Sequence, residues 1–219
     1  MRALSSVHSG TSSRLALPVM SGYSDPINHA LAFAAKHHDQ QVRRGTRLPY
    51  LTPAPNVAII LTRYKQDDAT VVTGILHDSV EDFVRDGYTA EMLAARIGEK
   101  FGHEVLDVLL DVVPRRVDDE GAELSRDERR DDLLNRLDQA DERALWVIAA
   151  DLVHDAGRLL ADLSRTEFPE TVWGRHPAGR AETVQWFRRV HDQLAHAGFN
   201  APIMQELGEM ITALEQLAP

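Results

Sequence analysis

The sequence predicts an all-α protein, built as a bundle of helices around one core. Apolar residues recur at helical spacing along most of the 219 residues, and no run alternates apolar and polar residues long enough to indicate a sheet. Prolines and capping side chains mark where successive helices begin. With 43% hydrophobic residues, the chain is long enough to bury one core, and we expect one domain over residues 23–219.

The start of the chain, residues 1–22, is expected to lie outside that domain. It is rich in serine and contains one short apolar run, LALPVM. This run is too short for a secretory core or a membrane span. We therefore expect a disordered tail here.

Capping residues and prolines divide the domain into nine predicted helices. Ser24 with Pro26 opens the first, Pro55 opens the second, and Ser125 with Glu128 forms a capping box for the sixth. A glycine or proline follows several of the expected ends. The expected spans are, in order, residues 24–38, 55–64, 68–83, 89–102, 103–113, a helix from 125, 143–163, 178–196 and 202–217.

The composition excludes several kinds of chemistry. Because the chain has no cysteine, thiol catalysis, disulfides and iron–sulfur clusters are excluded, and any metal must take nitrogen or oxygen ligands. The formal net charge of −10 argues against general binding to nucleic acid or to an anionic membrane, although a local basic cluster can still bind a small phosphate ligand. The lack of cysteine fits a cytoplasmic location. The oligomeric state is not indicated.

The stretch GILHDSVEDF gathers four ionisable side chains within two helical turns. An adjacent histidine and aspartate, His77 and Asp78, can bind one divalent cation. Glu81 and Asp82 follow one turn later, where a carboxylate can order or deprotonate a bound water. Asp151 lies inside the second long apolar helix, where an ionised carboxylate is costly unless it is paired or bound to a cation. Asp151 is therefore the natural candidate to complete the site.

The chain also resembles a known family. In order, the segments HHDQQVRRG, LPYLT, ILHDSVED, AADLVHDAGRLL and VQWF resemble the hydrolase domain of the RelA/SpoT alarmone enzymes, and the chain looks most like the small stand-alone alarmone hydrolases. The resemblance covers about residues 28–187. It implies an HD-type helical phosphohydrolase that uses manganese to remove the 3′-pyrophosphate from ppGpp or pppGpp.

The resemblance further implies a role for each residue of the site. The metal ligands would be His77, Asp78 and Asp151. The attacking water would be positioned and activated by Glu81 and Asp82. The nucleotide would lie against side chains of the basic loop and of the second long helix, namely Arg43, Arg44, Tyr50 and Asp155. Arginine suits this role because it offers paired donors to phosphate oxygens.

Two positions depart from the family pattern. Where the family has a ligand histidine, in PY-x-x-HP, this chain has Pro53, whose side chain offers no donor atom. His37 or His38 is an alternative ligand. Asp155 stands where the family usually has an asparagine that contacts the nucleotide sugar. Its charge disfavours a polyphosphate ligand unless Asp155 binds a metal or an arginine.

Three functions are consistent with these residues. The first is the metal-dependent hydrolysis of an alarmone, and the second is a degenerate HD domain that binds a nucleotide without cleaving it. The third is an HD hydrolase of another phosphorylated nucleotide. Retention of Glu81 and Asp82 favours hydrolysis over binding alone, because a module that only binds needs neither of them.

Overall fold

A computed structural model describes residues 24–39, 41–42, 49–176 and 178–217. The predicted tail, residues 1–22, lies outside this part of the chain. Within it, eleven α-helices are joined by turns, and the extended structure consists of two isolated bridges, Val42 with Pro49 and Val117 with Glu123. The predicted all-α class is confirmed. None of the helices in these ranges is both long and apolar enough to cross a membrane.

The helices are numbered in chain order. They are α1 (Asp25–His37), α2 (Pro53–Arg63), α3 (Asp68–Arg85), α4 (Ala90–Leu93), α5 (Glu99–Phe101), α6 (His103–Val112), α7 (Arg126–Arg136), α8 (Glu142–Ser164), α9 (Pro169–Trp173), α10 (Gly179–His196) and α11 (Pro202–Gln216). A π-helical segment, Ala94–Gly98, joins α4 to α5, and a 3₁₀ turn, Leu137–Gln139, follows α7.

Side-chain capping contacts mark the starts of five of the eleven described helices, namely α1, α3, α4, α7 and α8. The Ser24 hydroxyl accepts a hydrogen bond from the Ile27 amide at 3.3 Å, and both bonds of the predicted capping box before α7 are present. One predicted start is wrong, because α2 begins at Pro53 instead of Pro55. Both prolines fit in the first turn, where no amide donor is needed. The short helix α9 was not predicted.

Helices α3 and α8 form the centre of the bundle. Helix α3 packs against α1, α2, α6 and α8, while α8 also packs against α2, α6 and α11. The predicted core residues Ile75, Leu76 and Val80 are completely buried, as are Val147 and Ala150 of α8. Because both helices are enclosed on most sides, the few ionisable side chains that they carry are brought together inside the protein.

A charged network fixes α7 against the end of α6. The carboxylate of Asp132 accepts hydrogen bonds from Arg115 Nε at 3.1 Å and from Arg136 Nε at 3.0 Å. Arg136 also donates to the carbonyl oxygens of Leu110 at 2.9 Å and of Val113 at 3.1 Å, which lie at the end of α6. The hydrogen bond from Arg115 lowers the pKa of Asp132. Asp132 thereby holds the two arginines that join these elements.

Replacing Asp132 with asparagine is expected to lower the free energy of unfolding at pH 7 by about 1–3 kcal/mol, because two arginines lose a charged acceptor. Since the folded-state pKa lies below the ordinary value of 3.8, this stabilisation is present above that value and is lost as the pH falls through the lowered pKa. Urea unfolding measures both effects.

The matched control is Asp131→Asn, one residue earlier on α7. The Asp131 side chain is 60% exposed and pairs at 2.7 Å with Arg189, which is also exposed. An exposed pair of this kind contributes about 0–1 kcal/mol. An equal loss of stability in both variants would contradict the special role of Asp132.

Candidate metal centre and arginine cleft

The ring of His77 is oriented by the backbone of its own helix. Its Nδ1 donates to the carbonyl oxygen of Gly74, one turn earlier, at 2.7 Å. The residue is buried, so its ring is also held by packing. With Nδ1 engaged in this way, Nε2 is the nitrogen that remains to face other groups.

Two carboxylates converge on His77 Nε2. Asp78 Oδ1 and Asp151 Oδ1 each lie 3.5 Å from this nitrogen. Burial alone would lower the pKa of His77, but the charge of Asp78 and the hydrogen bond with Asp151 raise it to about 10. The two carboxylates therefore favour a positive charge at this position, either a proton or a metal ion. One imidazole nitrogen, two carboxylate oxygens and a carbonyl behind the ring fit a divalent cation.

Glu81 faces a cleft of about 340 Å³ that adjoins this centre. The side chain is exposed at the cleft. Partial loss of water around the carboxyl group raises the pKa of Glu81, and the charge of Asp78 raises it further. A carboxylate with a raised pKa is suited to accept a proton from a nearby water.

Arginines dominate the walls of this cleft, which is lined by Arg85, Arg116, Arg126, Arg129 and Arg130. Trp186 forms another part of the wall, and the guanidinium of Arg130 lies 4.7 Å from its ring centroid. Glu182 lies 2.8 Å from Arg126 and 2.5 Å from Arg130. The protein thus concentrates positive charge beside Glu81, although its formal net charge is −10. Such a cleft suits a phosphate-bearing ligand.

The carboxylate of Asp82 contacts side chains at the end of α1 as well as one on its own helix. It is 2% exposed, and its Oδ2 lies 3.3 Å from His37 Nε2 and 3.7 Å from His38 Nδ1. Its Oδ1 forms an ion pair with Arg85, one turn later on the same helix, with 2.7 Å between Oδ1 and Nη2. Burial and the nearby His38 lower the pKa of His37, although Asp82 acts in the opposite direction. The adjacent carboxylates of Glu81 and Asp82 therefore have different neighbours.

Tyr50 lies close to the carboxylates, in the turn before α2. Its ring centroid is 4.9 Å from that of His38. Burial, followed by the charge of Asp78, raises the pKa of Tyr50 to about 12, so its hydroxyl stays protonated and can donate a hydrogen bond. Pro53, the first residue of α2, is buried and cannot contribute a ligand atom.

The other predicted nucleotide contacts fall in two places. Asp155 lies one turn after Asp151 on α8, and its Oδ1 is 3.5 Å from Arg158 Nη2. Asp155 therefore has the arginine partner that would offset its charge. Arg43 and Arg44 lie outside the described residues, and their role remains a prediction.

The arginines of α7 were not among the predicted site residues. The sequence RDERR places Arg126, Arg129 and Arg130 at positions i, i+3 and i+4, which share one helix face, and this spacing is a signal that was available. A charged face on a polar helix is usually only solvated. The fold distinguishes this face because it brings α7 to the cleft beside Glu81.

Comparison with known proteins identifies the family. The family model for the HD domain matches residues 30–159, and the chain therefore belongs to the HD domain family. A GTP pyrophosphokinase from Myxococcus xanthus is 34% identical over 134 residues, which are 60% of this chain and 17% of that protein. A guanosine-3′,5′-bis(diphosphate) 3′-pyrophosphohydrolase from Aquifex aeolicus is 33% identical over 78 residues, 36% of this chain and 11% of that protein. The chain thus spans only a small part of these relatives.

Two solved structures share the fold. A metazoan ortholog of SpoT, described as hydrolysing ppGpp, superposes with a TM-score of 0.65 at 23% identity and covers 90% of this chain and 98% of its own. The protein lmo0812 from Listeria monocytogenes EGD-e gives a TM-score of 0.60 at 23% identity over 74% of this chain and 97% of its own. The predicted resemblance to the RelA/SpoT type of HD domain is confirmed. This family implies a divalent metal ion.

Gly74 is expected to be essential for the geometry of the metal centre. A Cβ atom at this position would lie 2.6 Å from Leu61 Cδ1 and 2.9 Å from Val57 Cγ1, both on α2. Replacing Gly74 with alanine should therefore lower the free energy of unfolding by about 1–3 kcal/mol through overpacking. It should also weaken metal binding. The carbonyl oxygen of Gly74 accepts the hydrogen bond that orients the His77 ring, and overpacking at this position would shift that carbonyl.

Gly157→Ala, on α8, is the control for this prediction. There a Cβ atom would meet Met210 Cε at 3.7 Å, an ordinary contact. Alanine should be neutral or stabilising by about 0.5–1 kcal/mol at a helix interior without a clash. Thermal unfolding and metal titration compare the two variants. A Gly74→Ala protein as stable as Gly157→Ala would refute the close approach of α2 and α3.

Proposed function

We propose that this HD domain is a metal-dependent phosphohydrolase that releases pyrophosphate from the 3′ position of ppGpp or pppGpp. The observation that carries the proposal is the position of two carboxylates, each 3.5 Å from His77 Nε2, beside a cleft lined by arginines. The choice of substrate is supported by the RelA/SpoT resemblance and by the name of the Aquifex aeolicus relative. The reaction matches a site that combines a cation with anion binding.

His77, Asp78 and Asp151 would hold the cation, which the family resemblance implies to be Mn²⁺. When bound, the ion would lower the pKa of a water ligand and offset charge on the phosphate. Carboxylate-rich sites with imidazole suit Mn²⁺, and waters can complete its coordination where Pro53 offers nothing.

Glu81 is the proposed general base. Its carboxylate faces the cleft, and its raised pKa favours uptake of a proton from the attacking water. The water oxygen forms a bond to the phosphorus that is attached to the 3′ oxygen, the bond from phosphorus to that oxygen breaks, and the 3′ oxygen takes a proton from solvent. Asp82 supports this reaction less directly, because His37, His38 and Arg85 already contact its two oxygens.

The cleft would bind the phosphate groups of the substrate. Arg129 offers paired donors to phosphate oxygens, and the protonated hydroxyl of Tyr50 offers a further donor. Arg116 contributes positive charge to the cleft, but its two terminal nitrogens donate to the carbonyl oxygen of Arg85 and to Glu123. Arg43 and Arg44 would contact the nucleotide, as the family resemblance implies. Glu182 would give up its contacts with Arg126 and Arg130 when a phosphate enters.

The proposal is tested by release of pyrophosphate from ppGpp in the presence of Mn²⁺. Asp78→Ala should lose turnover through loss of the ion, and Glu81→Gln should lower kcat by about 10²–10⁴-fold because the base is removed. Chelation of the metal should stop the wild-type reaction, and added Mn²⁺ should restore it.

Two exposed carboxylates away from the site provide controls. Asp107→Ala on α6 and Glu99→Gln on α5 should retain wild-type turnover. Saturable binding of ppGpp without release of pyrophosphate under any divalent metal would contradict hydrolysis and favour the binding module. Turnover of another phosphorylated nucleotide alone would favour the retuned hydrolase.

Replacing Pro53 with histidine should restore the ligand that the family has at this position. Metal affinity should increase by roughly tenfold or more, a size typical of groups that support a metal site. Pro55→His, two residues further in the same first turn of α2, is the matched control and should leave the affinity unchanged. Equilibrium dialysis with Mn²⁺ measures both variants. An unchanged affinity in Pro53→His would show that this position does not face the ion.

A further inference from the structure

The end of α1 and the middle of α3 bring together two histidines and one aspartate. The ligand atoms that His37, His38 and Asp82 can offer all lie within 4.8 Å of one another. His37 Nε2 is 3.3 Å from Asp82 Oδ2, and His38 Nδ1 is 3.7 Å from the same oxygen. His38 and Asp82 are buried, while His37 is partly accessible from the surface.

These separations fit three ligands of a single transition-metal ion. Nitrogen and oxygen ligands lie about 2.0–2.1 Å from Zn²⁺, so two of them at a tetrahedral angle are roughly 3.4 Å apart. The two distances to Asp82 Oδ2 lie on either side of that value. The imidazole rings of His37 and His38 meet edge to face, at 71° and 4.6 Å between centroids, which allows both nitrogens to approach the same carboxylate oxygen.

The ligand atoms are also supported from behind. Ser79 Oγ lies 3.1 Å from His38 Nε2, and Arg85 Nη2 lies 2.7 Å from Asp82 Oδ1. The Oε1 atom of Gln41 accepts a hydrogen bond from His38 Nδ1–H at 2.9 Å. Binding of an ion at Nδ1 requires this proton to move to Nε2, where the serine hydroxyl can accept a hydrogen bond from it. Gln41 Oε1 is then close enough to become a further oxygen ligand.

We propose that His37, His38 and Asp82 form a second cation site, separate from the centre at His77, for a late first-row transition metal such as Zn²⁺ or Co²⁺. Two imidazoles favour these ions over Mg²⁺ and Ca²⁺, which prefer oxygen ligands throughout. Asp82 lies one turn beyond Asp78, so an ion here sits next to the first centre. It would link α1 to α3 and hold the Oδ2 atom of Asp82 toward α1, while Oδ1 stays paired with Arg85.

This site does not depend on the proposed function, because a nucleotide-binding module could contain it as well. The competing explanation is a network of hydrogen bonds among His37, His38 and Asp82 that needs no ion. The two explanations differ in how much metal the protein binds, not only in its activity.

The test uses the full chain, stripped of metal and then titrated with Zn²⁺ and with Co²⁺. Equilibrium dialysis with elemental analysis counts bound Zn²⁺, and the visible absorption of Co²⁺ reports on its ligands. His37→Ala should bind one Zn²⁺ per chain fewer than the wild type and lose part of the Co²⁺ absorption. Asp78→Ala should retain the ion that depends on His37, and Zn²⁺ should raise its Tm. His196→Ala, at an exposed histidine of α10, should match the wild type.

His37 lies at the end of its helix and is not fully buried, so the variant should fold, which circular dichroism checks. Zn²⁺ content and Co²⁺ absorption equal to the wild type in His37→Ala would overturn the proposal. Loss of the same single ion in both His37→Ala and Asp78→Ala would overturn it too, since His37 would then belong to the first centre. Absence of pyrophosphate release, with the His37-dependent ion still bound, would overturn the proposed function alone.

Discussion

The structure depends on the enclosure of negative charge between two apolar helices. Asp78 and Asp151 face one another across His77, between helices whose other inward side chains are mostly aliphatic. Two carboxylates in this setting repel each other, and partial burial reduces their contact with water, since the side chains of Asp78 and Asp151 are 20% and 33% exposed. A proton on His77 would offset their charge, and a divalent ion held by all three groups, as proposed, would offset it more fully. Metal and proton therefore compete for the same position.

The sequence Glu81-Asp82 illustrates how helix geometry separates two chemically similar groups. Successive residues on an α-helix point about 100° apart, so two neighbouring carboxylates reach different surroundings. Glu81 reaches a cleft lined by arginines, whereas Asp82 reaches His37 and His38 on α1. The difference in surroundings supports a difference in role, because one carboxylate lines the arginine cleft and the other is held by histidines and by Arg85.

Much of the fold follows from local rules. The central helices α3 and α8 were predictable because they are apolar at helical spacing, and the starts of α1 and α7 were predictable because Ser24 and Ser125 cap them through side-chain oxygens. The convergence of Asp151 on His77 was predictable from the cost of a buried carboxylate. The start of α2 was not, because Pro53 and Pro55 both satisfy the rule for a first turn.

The remaining features depend on contacts between residues distant in sequence. Asp82 and His37 are 45 positions apart, and nothing local to either residue specifies their contact. The same holds for the arginines of α7, whose spacing is equally typical of a solvated face. Only the folded arrangement of the helices brings α7 to the cleft that Glu81 also lines. The sequence therefore contained the residue types of the site but not which helix faces would be joined.

The loss of a ligand at Pro53 affects the metal centre less than the loss of a carboxylate would. The family's histidine is a neutral ligand, so its absence removes one coordinating atom while the two negative charges of Asp78 and Asp151 remain. Those charges match the two positive charges of a divalent ion, so the occupied centre is close to neutral. The positive charge near the site is then that of the arginines in the cleft, and Glu182 neutralises part of it. A phosphate bound in the cleft as proposed would carry more charge than this one carboxylate and more oxygens to accept hydrogen bonds, so it would displace Glu182 from Arg126 and Arg130.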